Sequence, residues 1–303
     1  MSSFFVNVPI AIIALAGVWF LVTESKAQAS IKYDWTGVFL AALGLASLVY
    51  GFTNAEHGWD APEAWGFIAA GVVPMALFVL VEATVRHPLL PLRVATERNR
   101  GAAFLASFLS GAVLIGGILF INFYIQIVLG FAPFLAGLAS LPMTLSLIIT
   151  AGVVARNLPK LGAKIPTAAG PVCMAAAMLW LTQVSAQGSY LINLLPALLL
   201  MGAGLGMVFV LMQNLALFGV DKDDSGVASA LVNASQQIGG SLGIALFSTI
   251  AAAATAGGVS LAALSRGYAA VFLWAAGVAI LIVPVALLLI TIDRKKFTGT
   301  EGA

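Results

Sequence analysis

The 303 residues are 61% hydrophobic and 9% charged, with a mean hydropathy of +1.05, where a soluble domain carries about 25% charged residues. That composition excludes a soluble domain and predicts an all-α integral membrane protein, while a net charge of +2 gives no reason to expect nucleic acid as a partner. Cys173 is alone in an apolar run, so no intrachain disulfide can form, and the only histidines, His57 and His87, lie in polar connections; neither a metal site nor a cofactor is expected.

Runs of about 20 apolar residues cross a bilayer. By that measure the chain holds nine spans: 4–22, 35–52, 64–85, 101–123, 133–155, 166–184, 191–213, 226–250 and 268–292. Alternate connections carry Lys26 and Lys32; Arg86, Arg93, Arg98 and Arg100; Arg156, Lys160 and Lys164; Lys222; and Arg294, Lys295 and Lys296. These are thirteen of the fourteen basic residues, and only Arg266 lies on the other side. The positive-inside rule then places the N-terminus outside and the C-terminus in the cytoplasm.

The first span has a signal-peptide look, with Ala27-Gln28-Ala29 after an apolar run. That reading fails because no basic residue precedes the run, Glu24 and Lys26 crowd the supposed cleavage site, and Lys26 and Lys32 would be left outside. A first span entered from the far face directly after Met1 predicts a chain truncated at its N-terminus. Residues 53–63 hold Glu56, Asp60, Glu63 and Trp59, with Trp65 just beyond and no Lys or Arg, as expected of an external loop with an interfacial aromatic anchor. Arg86-His87-Pro88-Leu89-Leu90-Pro91-Leu92-Arg93 is a proline-rich basic connection and the expected boundary between two blocks of helices.

Pro74, Pro142, Pro171, Pro196 and Pro284 fall inside spans, where they act either as packing kinks or as hinges. Gly202, Gly204 and Gly206 alternate, so they do not line one helical face and predict a thin, deformable segment. Asp221, Asp223 and Asp224 precede a helix start, where carboxylates cap free N–H groups and offset the dipole; a cation site is the alternative.

That helix, Ser225 to Ile250, has no charge and a high density of small and amide residues. Ser229, Asn233, Gln236, Gly240, Gly243 and Phe247 recur at four- and three-residue steps on one face, with Val227, Leu231, Ile238, Leu242 and Ala245 on another. Amides are costly in hydrocarbon and glycines allow close backbone approach, so the polar seam faces protein or a wet cavity. It is either helix-to-helix glue or part of a substrate path.

Several segments together resemble the fourteen-helix drug:proton antiporter branch of the major facilitator superfamily. They are Phe5-Val6-Asn7-Val8-Pro9-Ile10; His87 to Arg93; Tyr124-Ile125-Gln126-Ile127-Val128-Leu129-Gly130 running into Ala136-Gly137-Leu138 and Leu141-Pro142; and Gly226-Val227-Ala228-Ser229-Ala230-Leu231-Val232-Asn233 followed by Ser235 to Gly243. Ala132 and Leu135 stand where that branch often has small polar or amide residues, and the Arg156 to Lys164 loop lacks an acidic partner. The resemblance implies that 1–23 is the last helix of an N-terminal half, 24–85 two inserted helices, 86–100 a cytoplasmic linker and 101–303 a C-terminal six-helix bundle, the first five helices being absent. It implies export of drugs or other hydrophobic or cationic solutes in exchange for protons by alternating access, in a bacterial plasma (inner) membrane, with a separate N-terminal half as a possible partner.

Proton coupling needs an ionisable group in the membrane. No acidic residue lies between Glu97 and Asp221 or between Asp224 and Asp293, and no histidine follows His87. Glu82 is the only acid within a span, four residues before Arg86, the favourable order for an ion pair. Coupling residues of a complete antiporter are therefore expected outside this chain. Asn122, Gln126, Asn233, Gln236 and Gln237, with Phe120, Phe209 and Met212 as apolar surface, are the expected substrate-lining residues, since aromatic, methionine and amide groups suit bulky hydrophobic or weakly cationic solutes. The competing reading is a fragment or half-transporter subunit that transports nothing alone. An enzyme is disfavoured, because the spans hold no cluster of His, Cys or acidic residues.

Overall fold

The computed structural model describes residues 34–54, 62–84, 97–162, 164–218, 220, 225–255 and 257–289, together with Ile12, Leu15 and Gly17. The chain divides into Met1–Tyr33 and Asp34–Ala303; in the first unit, Ile12, Leu15 and Gly17 are helical. The expected span 4–22 lies largely outside the described residues, as do the linker 86–93 and the acidic cluster at 221–224.

The second unit is built from helices α1 (Trp35–Asn54), α2 (Pro62–Glu82), α3 (Arg98–Val128), α4 (Pro133–Leu161), α5 (Lys164–Leu181), α6 (Tyr190–Leu217), α7 (Ser225–Thr255) and α8 (Leu261–Leu289). Seven are long and apolar enough to cross a membrane, and the apolar part of α5, Pro166–Leu181, is shorter. The chain is thus a multi-pass membrane protein. Each of the eight overlaps one expected span, with boundaries shifted by up to seven residues at α8, where Arg266 falls inside the helix and not in a loop.

Helices α1 and α2 form an antiparallel hairpin, and α1 also touches α7. The other six close a bundle in which α6 lies between α4 and α5, α8 packs on α5, and α3 touches α6, α7 and α8. The core carries fully buried Met174, Met178, Met201, Phe247 and Phe272. α4 buries little and touches chiefly α6, so Leu138, Leu145, Ile148 and Ile149 stay exposed within this unit.

Small residues set the helix spacing. A Cβ on Gly239 of α7 would run into the Phe108 carbonyl of α3, and one on Gly111 into the Gln236 carbonyl, so the two backbones interlock reciprocally. One helical turn on, a Cβ at Gly243 would sit 2.6 Å from the Ala112 Cα, and one at Gly240 would meet Ile115. The three α6 glycines serve two neighbours. A Cβ at Gly202 or Gly206 would meet the Met143 or Leu147 carbonyl of α4, and one at Gly204 the Gly170 carbonyl of α5. Alternate spacing therefore encodes two close contacts on opposite faces of one helix.

The prolines leave a visible trace at α6. Pro196 has no N–H, so the Ile192 carbonyl loses its helical donor; the helix opens into a π turn at Tyr190–Leu194, and the Trp180 indole N–H donates to that carbonyl at 3.3 Å. α4 ends at Gly162, whose φ of 69° suits glycine. At the start of α3, Glu97 accepts the Arg100 backbone N–H at 3.0 Å and the Asn99 side-chain amide at 2.9 Å. Burial pushes its carboxyl up, but the Arg100 and Asn99 hydrogen bonds and the Arg100 charge outweigh that and hold it below the usual range. Arg98 donates to the Leu288 carbonyl at 2.6 Å, tying the entry to α3 to the exit of α8.

The α7 seam needs one correction. Gly240, Gly243 and Phe247 are buried and Gln236 is half-buried, but Asn233 is exposed, in line with Gly226, Ala230 and Gln237. In this part of the helix the buried edge is Ala228, Val232 and Gly239, about a quarter turn away. The opposite face is not a clean lipid face: Ala245 is fully buried and Val227, Leu231, Ile238 and Leu242 are half-buried, because α1, α3 and α8 surround much of the helix.

Candidate functional site

A cavity of ≈ 40 Å³ opens between α3, α4, α6 and α7. α3 contributes Ser107, Ser110 and Leu114, α4 contributes Leu147, α6 contributes Leu205, Val208, Phe209, Met212 and Gln213, and α7 contributes Val232 and Gln236. The spacings follow helical periodicity: three and four residues on α3, four on α7, and 205, 208, 209, 212, 213 on α6. The Gly111 and Gln236 backbone contact fixes α7 against α3 beside the cavity, and directly after Ser110 and Gly111 the α3 helix widens into a π turn at Ala112–Gly116. Such insertions re-aim side chains and recur at functional sites.

The cavity has depth. Phe209 is 49% exposed and Gln213 and Gln236 are half-buried at the rim, while Ser107 and Ser110, each 3% exposed, form the floor with buried Val208 and Met212. Among the described residues no charged side chain lines it. The arrangement offers an aromatic and thioether wall, two amides and two hydroxyls, which suits an apolar body carrying a polar group.

Three of the expected lining residues, Phe209, Met212 and Gln236, thus share one cavity. The others lie elsewhere. Phe120 stacks edge-on against Phe123 and Tyr268, at centroid distances of 5.8 and 5.9 Å. Asn122 donates to the Ile118 carbonyl at 3.0 Å and Asn233 to the Ser229 carbonyl at 3.0 Å, each bonding its own helix. Gln126 and Gln237 are exposed. Sequence reading passed over Ser107, Ser110 and Gln213; the signal available for the serines was their three-residue spacing in an otherwise apolar span.

Glu82, at the end of α2, is 4% exposed and lies near Asp34, which caps α1 by accepting the Gly37 N–H at 2.9 Å. A Cβ on Gly37 would be 2.8 Å from both Asp34 Oδ2 and Glu82 Oε1. Arg86, its expected partner, is outside the described residues. Among the described residues no group of His, Cys, Asp and Glu could hold a metal ion.

A bundle of apolar helices around an uncharged, amide-rimmed cavity is transporter architecture, and residues 2–244 match the Major Facilitator Superfamily; the chain belongs to that family of transporters and is not an enzyme. It is 35% identical to the puromycin resistance protein pur8 of Streptomyces alboniger, over 99% of this chain and 62% of that protein. It is 31% identical to the tetracenomycin C resistance and export protein of Streptomyces glaucescens, over 82% and 46%, and 25% identical to the multidrug transporter protein MdtP of Bacillus subtilis, over 82% and 46%. The chain spans about half to six tenths of the length of these relatives.

Proposed function

We propose that the chain is the C-terminal part of a fourteen-helix exporter that moves drug-like, largely apolar solutes out of a bacterial cell by alternating access, in exchange for protons. The carrying observation is the cavity between α3, α4, α6 and α7, with Phe209 and Met212 as apolar wall and Gln213 and Gln236 at its rim. In this reading residues 101–303 form one moving body, 24–85 the inserted pair, and the N-terminus lies outside with the C-terminus in the cytoplasm of a bacterial plasma membrane. That orientation puts the cavity in the cytoplasmic half, because α3 and α7 begin there and α6 ends there. The exposed Asn233 and Gln237 then line a wet path opposite the other body, since amides facing lipid are costly. The names of the relatives supply the solute class: antibiotics such as puromycin.

The test is resistance. A drug-sensitive bacterium expressing the chain extended upstream with its genomic sequence is expected to tolerate severalfold more puromycin than the same cell without it. Phe209→Ala and Gln236→Ala are each expected to remove most of that gain at equal expression. Full resistance in both variants would remove the cavity from the export path.

A further inference from the structure

Ser107 and Ser110 stand three residues apart on the same face of α3, each 3% exposed and each lining the cavity. Neither hydroxyl has a hydrogen-bond partner among the described residues. That sets them apart from Ser241 and Ser265, the other buried serines among the described residues. Ser140, Ser241 and Ser265 all donate to the carbonyl four residues earlier, at 2.8 to 3.1 Å, and Ser146 reaches the Leu199 carbonyl of the neighbouring helix at 2.7 Å. The back-bonded arrangement is the ordinary way a buried helical serine satisfies its proton. Two consecutive serines on one cavity face forgo it.

A buried hydroxyl without a partner is destabilising, because its desolvation is not offset, so a pair of them is a feature the empty fold would be better without. The cost is removed when a ligand group enters and bonds them. With ≈ 40 Å³ the cavity takes one functional group, far below the roughly 300–1,000 Å³ that encloses a drug-sized ligand. The group is expected to be uncharged, because none of the described lining side chains carries a charge and a desolvated ion without a counter-charge is expensive.

We propose that Ser107 and Ser110 are specificity-determining residues that receive one neutral hydrogen-bonding arm of the solute, a hydroxyl, carbonyl or amide, while its apolar body stays at the rim against Phe209. This rests on the reading of the cavity as a solute site. Selection within this bundle is then by hydrogen bonding and not by charge, and solutes with the same apolar body are ranked by whether they carry such an arm.

The test uses the purified chain in lipid nanodiscs and two probes differing by one hydroxyl, 2-(hydroxymethyl)anthraquinone and 2-methylanthraquinone, read by quenching of tryptophan fluorescence. The wild type is expected to bind the hydroxymethyl compound about fivefold more tightly, the worth of one net hydrogen bond. In S107A/S110A that ratio is expected to fall to about one, while the melting temperature without probe does not fall. A ratio that persists in the double variant overturns the proposal, as does a lowered melting temperature without probe, which would show the hydroxyls to be structural. Phe209→Ala separates the two levels. If it weakens both probes and the serine variant keeps the preference, only the serine assignment fails. If it leaves both affinities at wild type, or if neither probe binds, the reading of the cavity as a solute site fails with it.

Discussion

Replacing Gly239 with leucine is expected to leave almost no folded protein in the membrane, and Gly111→Leu is expected to do the same. Each glycine receives a carbonyl oxygen of the facing helix, Phe108 for Gly239 and Gln236 for Gly111, at a separation that a Cβ cannot share. Overpacking a core with extra methylenes usually costs about 1–3 kcal/mol, because side chains can turn aside. Here the obstacle is backbone on both sides, so relief requires moving α3 away from α7 along their whole contact, which also opens Gly243 against Ala112. The comparison is Leu246→Ala on the same helix. Leu246 is 39% exposed, and surface substitutions away from special features usually stay within about 0.5 kcal/mol. Detergent-extracted yield and thermal stability measured side by side check this. Equal values for Gly239→Leu and Leu246→Ala would show that the two helices do not interlock.

The second large effect is all or nothing. In vesicles with an imposed pH gradient, the 303 residues alone are expected to show no uphill accumulation of puromycin, and a version extended upstream with the genomic sequence is expected to show it and to lose it with a protonophore. Alternating access needs two bodies moving against each other, and proton coupling needs an ionisable group in the membrane whose protonation competes with solute. The stretches between Glu97 and Asp221 and between Asp224 and Asp293 hold no carboxylate, and no histidine follows His87. A cavity without such a group lets solute equilibrate without driving it. Accumulation by the short chain would move attention to the carboxylates Glu82 and Asp34, which approach the same point beside Gly37, and Glu82→Gln would be the next variant.

Much of this was legible in the sequence because membrane helices announce themselves. An apolar run of about 20 residues has one outcome in lipid, and seven of the eight helices that fall on expected spans are long and apolar enough to cross a membrane. Gly240 and Gly243 were legible for a related reason, since small residues at helical spacing among apolar ones have few uses beyond close contact. The site was half legible. Phe209, Met212 and Gln236 stand out by residue type, but which face of α6 or α7 meets α3 depends on a quarter turn of rotation that periodicity does not resolve. Asn233 and Gln237 show this: amide chemistry marked them, and packing left them on the exposed side of α7. Ser107 and Ser110 were invisible because serine is common in such helices and usually bonds its own backbone; only the cavity and the missing back-bonds distinguish them. The purpose of Gly202, Gly204 and Gly206 emerged only when α4 and α5 were seen on opposite sides of α6.

If a drug-like solute places its polar arm in the cavity between α3, α4, α6 and α7 and its apolar body over the rim, site-directed protection reports it directly. In a Cys173→Ser background, single cysteines are placed at Gln213 and Gln236 on the cavity rim and, for comparison, at Asn122 and Gln126, which lie outside it. Labelling by a small maleimide is then timed with increasing puromycin. Puromycin is expected to slow labelling at 213 and 236 with one saturation curve and to leave 122 and 126 at their initial rates. Equal slowing at all four positions, or slowing at 122 and 126 alone, would contradict it.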